Sequence, residues 1–204
     1  MIEVGTNLFQ LKFQIEFEMD RVLKGGPWSF DNQVLLLTRW KAGMIVDNVR
    51  FDSVALWVQI WGTLFDLVSP KIAEIVGSRL GLVVEVEKKH KFKGQSYFMR
   101  VNVAILIAKP IWRGAFLAGS DDKSHWVTFK YEHLPLFCHF CGLLDHDLKH
   151  CAPYFARTKK YGEVTCQYGD WLKATNGRAC SLHRRKYERE EAGVEVDSQT
   201  DRSR

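Results

Sequence analysis

At 204 residues and 23.6 kDa, the chain has room for one medium domain or two small ones. With 46% hydrophobic and 26% charged residues it is too apolar to be disordered throughout, and 15 Gly with 5 Pro exclude a collagen-like or low-complexity chain. Its net charge of +5 allows a polyanionic partner without demanding one, and five cysteines are too few, and odd in number, for a disulfide scaffold. The longest central apolar run, 103–108, is far short of the ~20 residues of a membrane span. Glu3, Lys12 and Glu16 interrupt any signal-like start. The expectation is an intracellular protein, in nucleus or cytoplasm, not secreted and with no membrane partner. In a reducing compartment, clustered Cys and His read as metal ligands before disulfides.

In chain order, Leu11, Phe13 and Ile15 alternate with period two, which predicts a strand. Residues 16–23 then read as a short helix, closed by Gly25-Gly26-Pro27. A second strand is expected over 34–40, and 43–52 as a connector. A strand over 55–61 opens the next unit. Ser69-Pro70 supplies an N-cap and a proline at the first helical position. The helix over 71–79 places Ile72, Ile75, Val76 and Leu80 on one apolar stripe and ends at Gly81. Residues 82–88 and 97–107 read as a hairpin, 110–117 as a short helix, and 126–131 as a last strand.

The order β-α-β-β-α-β predicts an α+β fold: an antiparallel sheet with helices on one face, ferredoxin-like or RNA-recognition-like. The Lys/Arg-Gly-Phe-Gly/Ala-Phe pattern of RNA-recognition domains is absent, so Tyr97 and Phe98 read as packing residues rather than stacking ones. The expected organisation is an α+β segment over 1–42, the sheet unit over 53–133, a small Cys- and His-bearing unit over 134–154, and a polar, largely disordered tail over 155–204.

The charge is unevenly distributed. Residues 71–113 carry nine basic and three acidic side chains, and Lys88, Lys89, Lys91 and Lys93 crowd one expected turn. The plain reading is a solvated hairpin loop. The functional one is a phosphate-contacting loop that releases counterions from a nucleic-acid backbone.

One constellation carries chemistry. Cys138, Cys141, His146 and Cys151 form Cys-x2-Cys-x4-His-x4-Cys. Three thiolates and one imidazole make a closed tetrahedral set for Zn²⁺, with no open position for a catalytic water. Gly142 permits the tight turn around the first two sulfurs. So small a unit is expected to draw its folding energy from the metal. His139 and His150 lie inside the loop and read as exposed non-ligands, and Cys166 and Cys180 as free thiols. Such knuckles bind single-stranded nucleic acid through an apolar cleft with flanking cations. The candidate contacts are Phe140, Leu143, Leu144 and Lys149, followed by Arg157, Lys159 and Lys160 with Tyr154 and Phe155 nearby.

The chain resembles the plant gag-like domain of unknown function that precedes a zinc knuckle in first-frame proteins of LINE-type retrotransposons and their domesticated copies. The carrying residues are Asn7-Leu-Phe, Arg21-Val-Leu-Lys-Gly-Gly-Pro-Trp-Ser-Phe-Asp, Leu35-Leu-Leu-Thr-Arg-Trp and Trp57-Val-Gln-Ile-Trp-Gly. They continue with Gly77-Ser-Arg-Leu-Gly, Lys109-Pro, Phe129-Lys-Tyr-Glu-His-Leu-Pro, the knuckle itself and Gln167-Tyr-Gly-Asp-Trp-Leu-Lys-Ala. The likeness spans about 7–175. It implies a further strand and a Trp-containing helix ahead of residue 1, so the chain reads as N-terminally truncated. Family knuckles usually have glycine before the histidine. Here Asp145 stands there, a residue that tolerates a left-handed backbone better than most.

These features predict a zinc-dependent binder of single-stranded RNA or DNA. The alternative is a protein–protein module in which zinc is only a staple, with self-association left open. No Gly-rich phosphate loop, nucleophile elbow, His-Glu-x-x-His or polymerase aspartate pair is present, so the expectation is no enzyme and no catalytic residue.

Overall fold

Alternation builds the central sheet. In β5 (Ser53–Trp61), Val54, Leu56, Val58 and Ile60 point to one face and are all at most 5% exposed. Met99, Val101, Val103 and Ile105 of β7 (Phe98–Leu106) do the same, as do Val127, Phe129 and Tyr131 of β9 (Ser124–Tyr131). With β6 (Leu82–Val86) and β8 (Gly114–Ala118) these strands form a five-stranded sheet in the order β6-β7-β5-β9-β8, antiparallel throughout. The computed structural model describes residues 1–31, 33–87, 98–119 and 123–174.

Over β6 and β7 lies a helix, α2 (Pro70–Leu80), capped by Ser69, whose Oγ accepts from the Ile72 N–H at 3.3 Å. Gly77 lets it approach: a Cβ there would stand 2.9 Å from a methyl of Val101. The fold is therefore α+β with an antiparallel sheet, as the element order implies. One element differs. Residues 110–117 do not form the second helix. Gly114 to Ala118 run extended as β8, with Phe116 outward and Ala115 and Leu117 inward, because the free edge of β9 offers a full ladder of partners. The apolar cover that a second helix would supply comes from Ile111, Leu134, Phe137, Leu144 and Leu172, all in the same buried cluster as the sheet.

The opposite face of the sheet carries a polar and aromatic layer. Arg100 grips Glu132 through two hydrogen bonds of 2.8 and 2.6 Å and lies 3.9 Å over the Trp57 ring. Gln59 donates to the same carboxylate at 2.7 Å. Phe98 belongs to this layer, stacked on Trp61 at 4.8 Å, and not to the core expected for it. Tyr97 lies outside the described residues.

Residues 1–48 are built from short pieces. β1 (Ile2–Gly5) pairs with β2 (Leu8–Gln10), and β3 (Trp28–Phe30) with β4 (Gln33–Leu35), each as a separate two-stranded ribbon. Between them lies α1 (Glu16–Lys24), none of whose residues is buried. The strand expected over 34–40 thus ends at Leu35, where its ribbon partner ends.

The segment expected to be a polar tail is structured up to residue 174. α3 (Ala152–Tyr161) follows the knuckle directly, and a 3-10 turn (Asp170–Leu172) brings Leu172 to 0% exposure. Ala174 N–H donates to Tyr131 O at 2.8 Å, which ties this return to the end of β9. Proline in the first turn of α3 and Gly162 after its end, at φ +81°, are the start and stop signals that mark this helix in the sequence. Residues 175–204 lie outside the described residues. Among the described residues no helix is long and apolar enough to cross a membrane.

Candidate metal centre

The first turn of the site is wound by backbone hydrogen bonds. Gly142 N–H donates to Cys138 O, and Cys138 N–H to Leu143 O, both at 2.9 Å. Gly142 sits at φ +77°, and a Cβ there would stand 2.6 Å from the Tyr168 ring, so both the conformation and the space require glycine. The turn is clamped from two sides: Ile111 N–H donates to Gly142 O, and Tyr168 N–H to His139 O, each at 3.0 Å. The knuckle is therefore docked on the sheet, with Phe137 and Leu144 in the common core. It is not the independent mini-unit its length suggests.

Cys138, Cys141, His146 and Cys151 converge. Their four ligand atoms lie within 4.8 Å of one another, and Cys141 Sγ is 3.3 Å from His146 Nε2. Metal–ligand distances of about 2.3 Å to sulfur and 2.0–2.1 Å to nitrogen put tetrahedral edges at roughly 3.5–3.8 Å. The donor set fits a structural Zn²⁺.

Electrostatics points the same way. Burial raises the Cys138 thiol, but hydrogen bonds from the Cys141 and Phe140 N–H groups outweigh it and bring it below its ordinary value. The Cys141 thiol is pushed up to about 12 by burial and by its neighbours Cys138 and Cys151. Cys151 is raised by burial and by Cys138. Three adjacent sulfurs cannot all ionise against one another, and a dication at their centre removes that repulsion.

Asp145 accounts for its own presence. It is not among the residues with left-handed backbone. Its carboxylate hydrogen-bonds His146 Nδ1. That bond fixes the imidazole so that Nε2 faces the sulfurs, as carboxylates do behind zinc-bound histidines. Burial lowers the His146 pKa, but Asp145 and then Cys138 raise it above the ordinary value.

The neighbouring histidines stay out of the set. His150 Nδ1 is 2.5 Å from Asp147 Oδ1, and His139 Nε2 is 3.8 Å from Asp170. The Cys166 thiol is free and raised by burial and by Cys138, and Cys180 lies outside the described residues.

The expected base contacts divide. Leu144 is 4% exposed and packed in the core, so it has no surface for a base. Phe140 and Leu143 are half-buried, and Lys149 is exposed. The Phe140 ring meets Tyr154 at 5.6 Å, and Tyr154 meets Phe155 at 5.8 Å, an aromatic ladder from the knuckle onto α3. Arg157, Lys159 and Lys160 are exposed on that helix, whose sequence holds no carboxylate. Lys88, Lys89, Lys91 and Lys93 lie outside the described residues.

Residues 115–153 match the family model described as a zinc knuckle, and residues 1–48 match a domain of unknown function, DUF4283. The chain carries a DUF4283 domain followed by a CCHC-type zinc knuckle. The knuckle match begins at Ala115, so it takes in β8 and β9 as well as the ligand loop. No curated protein and no solved structure matches the chain.

Proposed function

We propose that this chain is a zinc-dependent binder of single-stranded RNA or DNA, derived from a plant LINE-type retrotransposon gag-like protein. It acts inside the cell, in nucleus or cytoplasm, and catalyses no reaction. The observation that carries the reading is the continuity of the knuckle with α3. The aromatic ladder of Phe140, Tyr154 and Phe155 leads onto the helix that carries the exposed Arg157, Lys159 and Lys160, and the exposed Lys149 precedes that helix in the chain. Aromatic faces stack unpaired bases, and the cations meet the backbone. The order of a DUF4283 domain and a knuckle supports the gag-like origin.

The test is a titration of zinc-loaded protein with labelled single-stranded RNA and DNA over a range of salt. One zinc per chain is expected. The logarithm of affinity should fall with that of salt with a slope of about −0.7 per phosphate contact. Cys141→Ser should abolish both metal and binding. A second reading, a protein–protein or self-association module, is favoured by the exposed Phe17, Phe30 and Trp40 in residues 1–48. Absence of oligonucleotide binding at moderate salt, together with nuclease-resistant capture of a protein, would establish it instead.

A further inference from the structure

An open cleft of about 370 Å³ lies where the sheet edge meets the knuckle, outside the metal set and α3. Lys109, Trp112, Arg113, Gly114, Trp126 and Tyr168 are the lining residues that matter, and among the described residues no carboxylate lines it. The backbone beneath is tied to its surroundings by three hydrogen bonds. Ile111 N–H donates to Gly142 O at 3.0 Å, Phe129 N–H to Arg113 O at 2.9 Å, and the buried Tyr131 hydroxyl to Trp112 O at 2.7 Å. These bonds anchor the segment that leads into β8, while the side chains of Trp112 and Arg113 are exposed. Trp112 is 47% and Trp126 46% exposed, and the Trp126 ring meets Phe116 edge to face at 4.9 Å, which leaves part of each indole open to solvent. Gly114 makes room for one of them, since a Cβ there would stand 2.5 Å from the Trp126 ring. Tyr168 joins the cleft to the knuckle: its ring lies against Gly142, and the Arg113 guanidinium is 5.8 Å from that ring.

We propose that this cleft is a second contact point for single-stranded nucleic acid, taking one base against Trp112 or Trp126 and its phosphate between Lys109 and Arg113. The inference rests on the nucleic-acid reading above and extends it to a surface that the knuckle motif does not include. Two cations without an acid complement a phosphate, and exposed indoles complement any base face. The volume lies at the low end of the roughly 300–1,000 Å³ of small-ligand sites, the scale of a nucleotide rather than of a protein element.

The experiment measures binding of mixed-sequence single-stranded DNA and RNA to the zinc-loaded full chain by fluorescence anisotropy. Trp112→Ala should weaken affinity about 5- to 150-fold, and Trp112→Phe should restore most of it. Lys109→Gln combined with Arg113→Gln should lower the salt slope by about 0.7, the share of one phosphate contact. The double variant alters only exposed charged groups, so it reads the site even where Trp112→Ala fails to fold or to hold zinc. Wild-type binding with an unchanged slope in the double variant overturns the cleft and leaves the nucleic-acid reading standing. Wild-type protein that binds neither strand type at low salt overturns that reading itself, and the cleft with it.

Discussion

Residues 1–48 and residues 53–174 carry the same kinds of apolar side chain and place them in opposite ways. Among the described residues of the first region none is buried: Phe17 is 73% exposed and Phe30 75%. In the second, Leu56, Val58, Val101, Val103, Tyr131 and Leu172 are all at 0%. The difference is one of partners. A ribbon of two strands of three or four residues has no second layer to cover its apolar face, and isolated hairpins are marginal in water. Among the described residues of the first region, Val34 and Leu36 alone pack, in part, against the core. Arg39 with Glu16 and Asp20 adds exposed ion pairs, which contribute little. A family match thus covers a stretch in which no described residue is fully buried, while the folding energy resides where sheet, knuckle and C-terminal return share one core.

The strongest challenge to that contrast is removal of the metal. Chelation, or Cys151→Ser, should release residues 138–151 and the return that packs on them, with a loss of several kcal/mol. Amide exchange at Leu143 and Tyr168 should accelerate strongly while β5 and β7 amides stay protected. Unchanged protection at Leu143 would mean that the loop holds its shape without zinc.

Leu172→Ala should cost about 2–5 kcal/mol in urea denaturation, because a fully buried leucine leaves a cavity. A loss under 1 kcal/mol would detach the return from the core. Asp145→Ala should weaken zinc affinity about 10- to 100-fold, read by competition with a chromogenic chelator, without changing the ligand set.

Acid should act on the sheet. Burial raises the Glu132 carboxyl, but its hydrogen bonds to Arg100 and Gln59 outweigh that and hold it below the ordinary value. Its folded pKa is then below its unfolded one. The stability it contributes is present above the unfolded pKa of about 4.3 and is lost as pH falls through the folded value. The effect is on the order of 1 kcal/mol after solvent screening. Urea midpoints measured from pH 6 down to pH 3 should decline less steeply in Glu132→Gln. The smallest effect is expected in the first region: Phe17→Ala should shift stability by no more than about 0.5 kcal/mol. A larger shift in its melting curve would show that residues 1–48 bury more than the ribbons imply.

Several features follow from the residues in order. Period-two alternation marks β5, β7 and β9, Ser69-Pro70 and Gly81 bracket α2, and Cys-x2-Cys-x4-His-x4-Cys groups the four donors that the fold brings within 4.8 Å. These are local patterns, in which spacing along the chain already dictates which side chains share a face or a turn. Other features depended on groups distant in sequence. Residues 114–118 are a strand because β9 leaves an edge open. Leu144 lies in the core and not on a base-binding surface because the knuckle docks on the sheet. Leu172 is buried because the chain returns to pair beside Tyr131, and Trp112, Trp126 and Tyr168 meet in one cleft from three separate stretches. The chain itself sets the chemistry of the metal site, since its donors lie within fourteen residues. Which apolar residues are covered and which face solvent was decided by tertiary packing, because burial belongs to a pair of surfaces and not to either one alone.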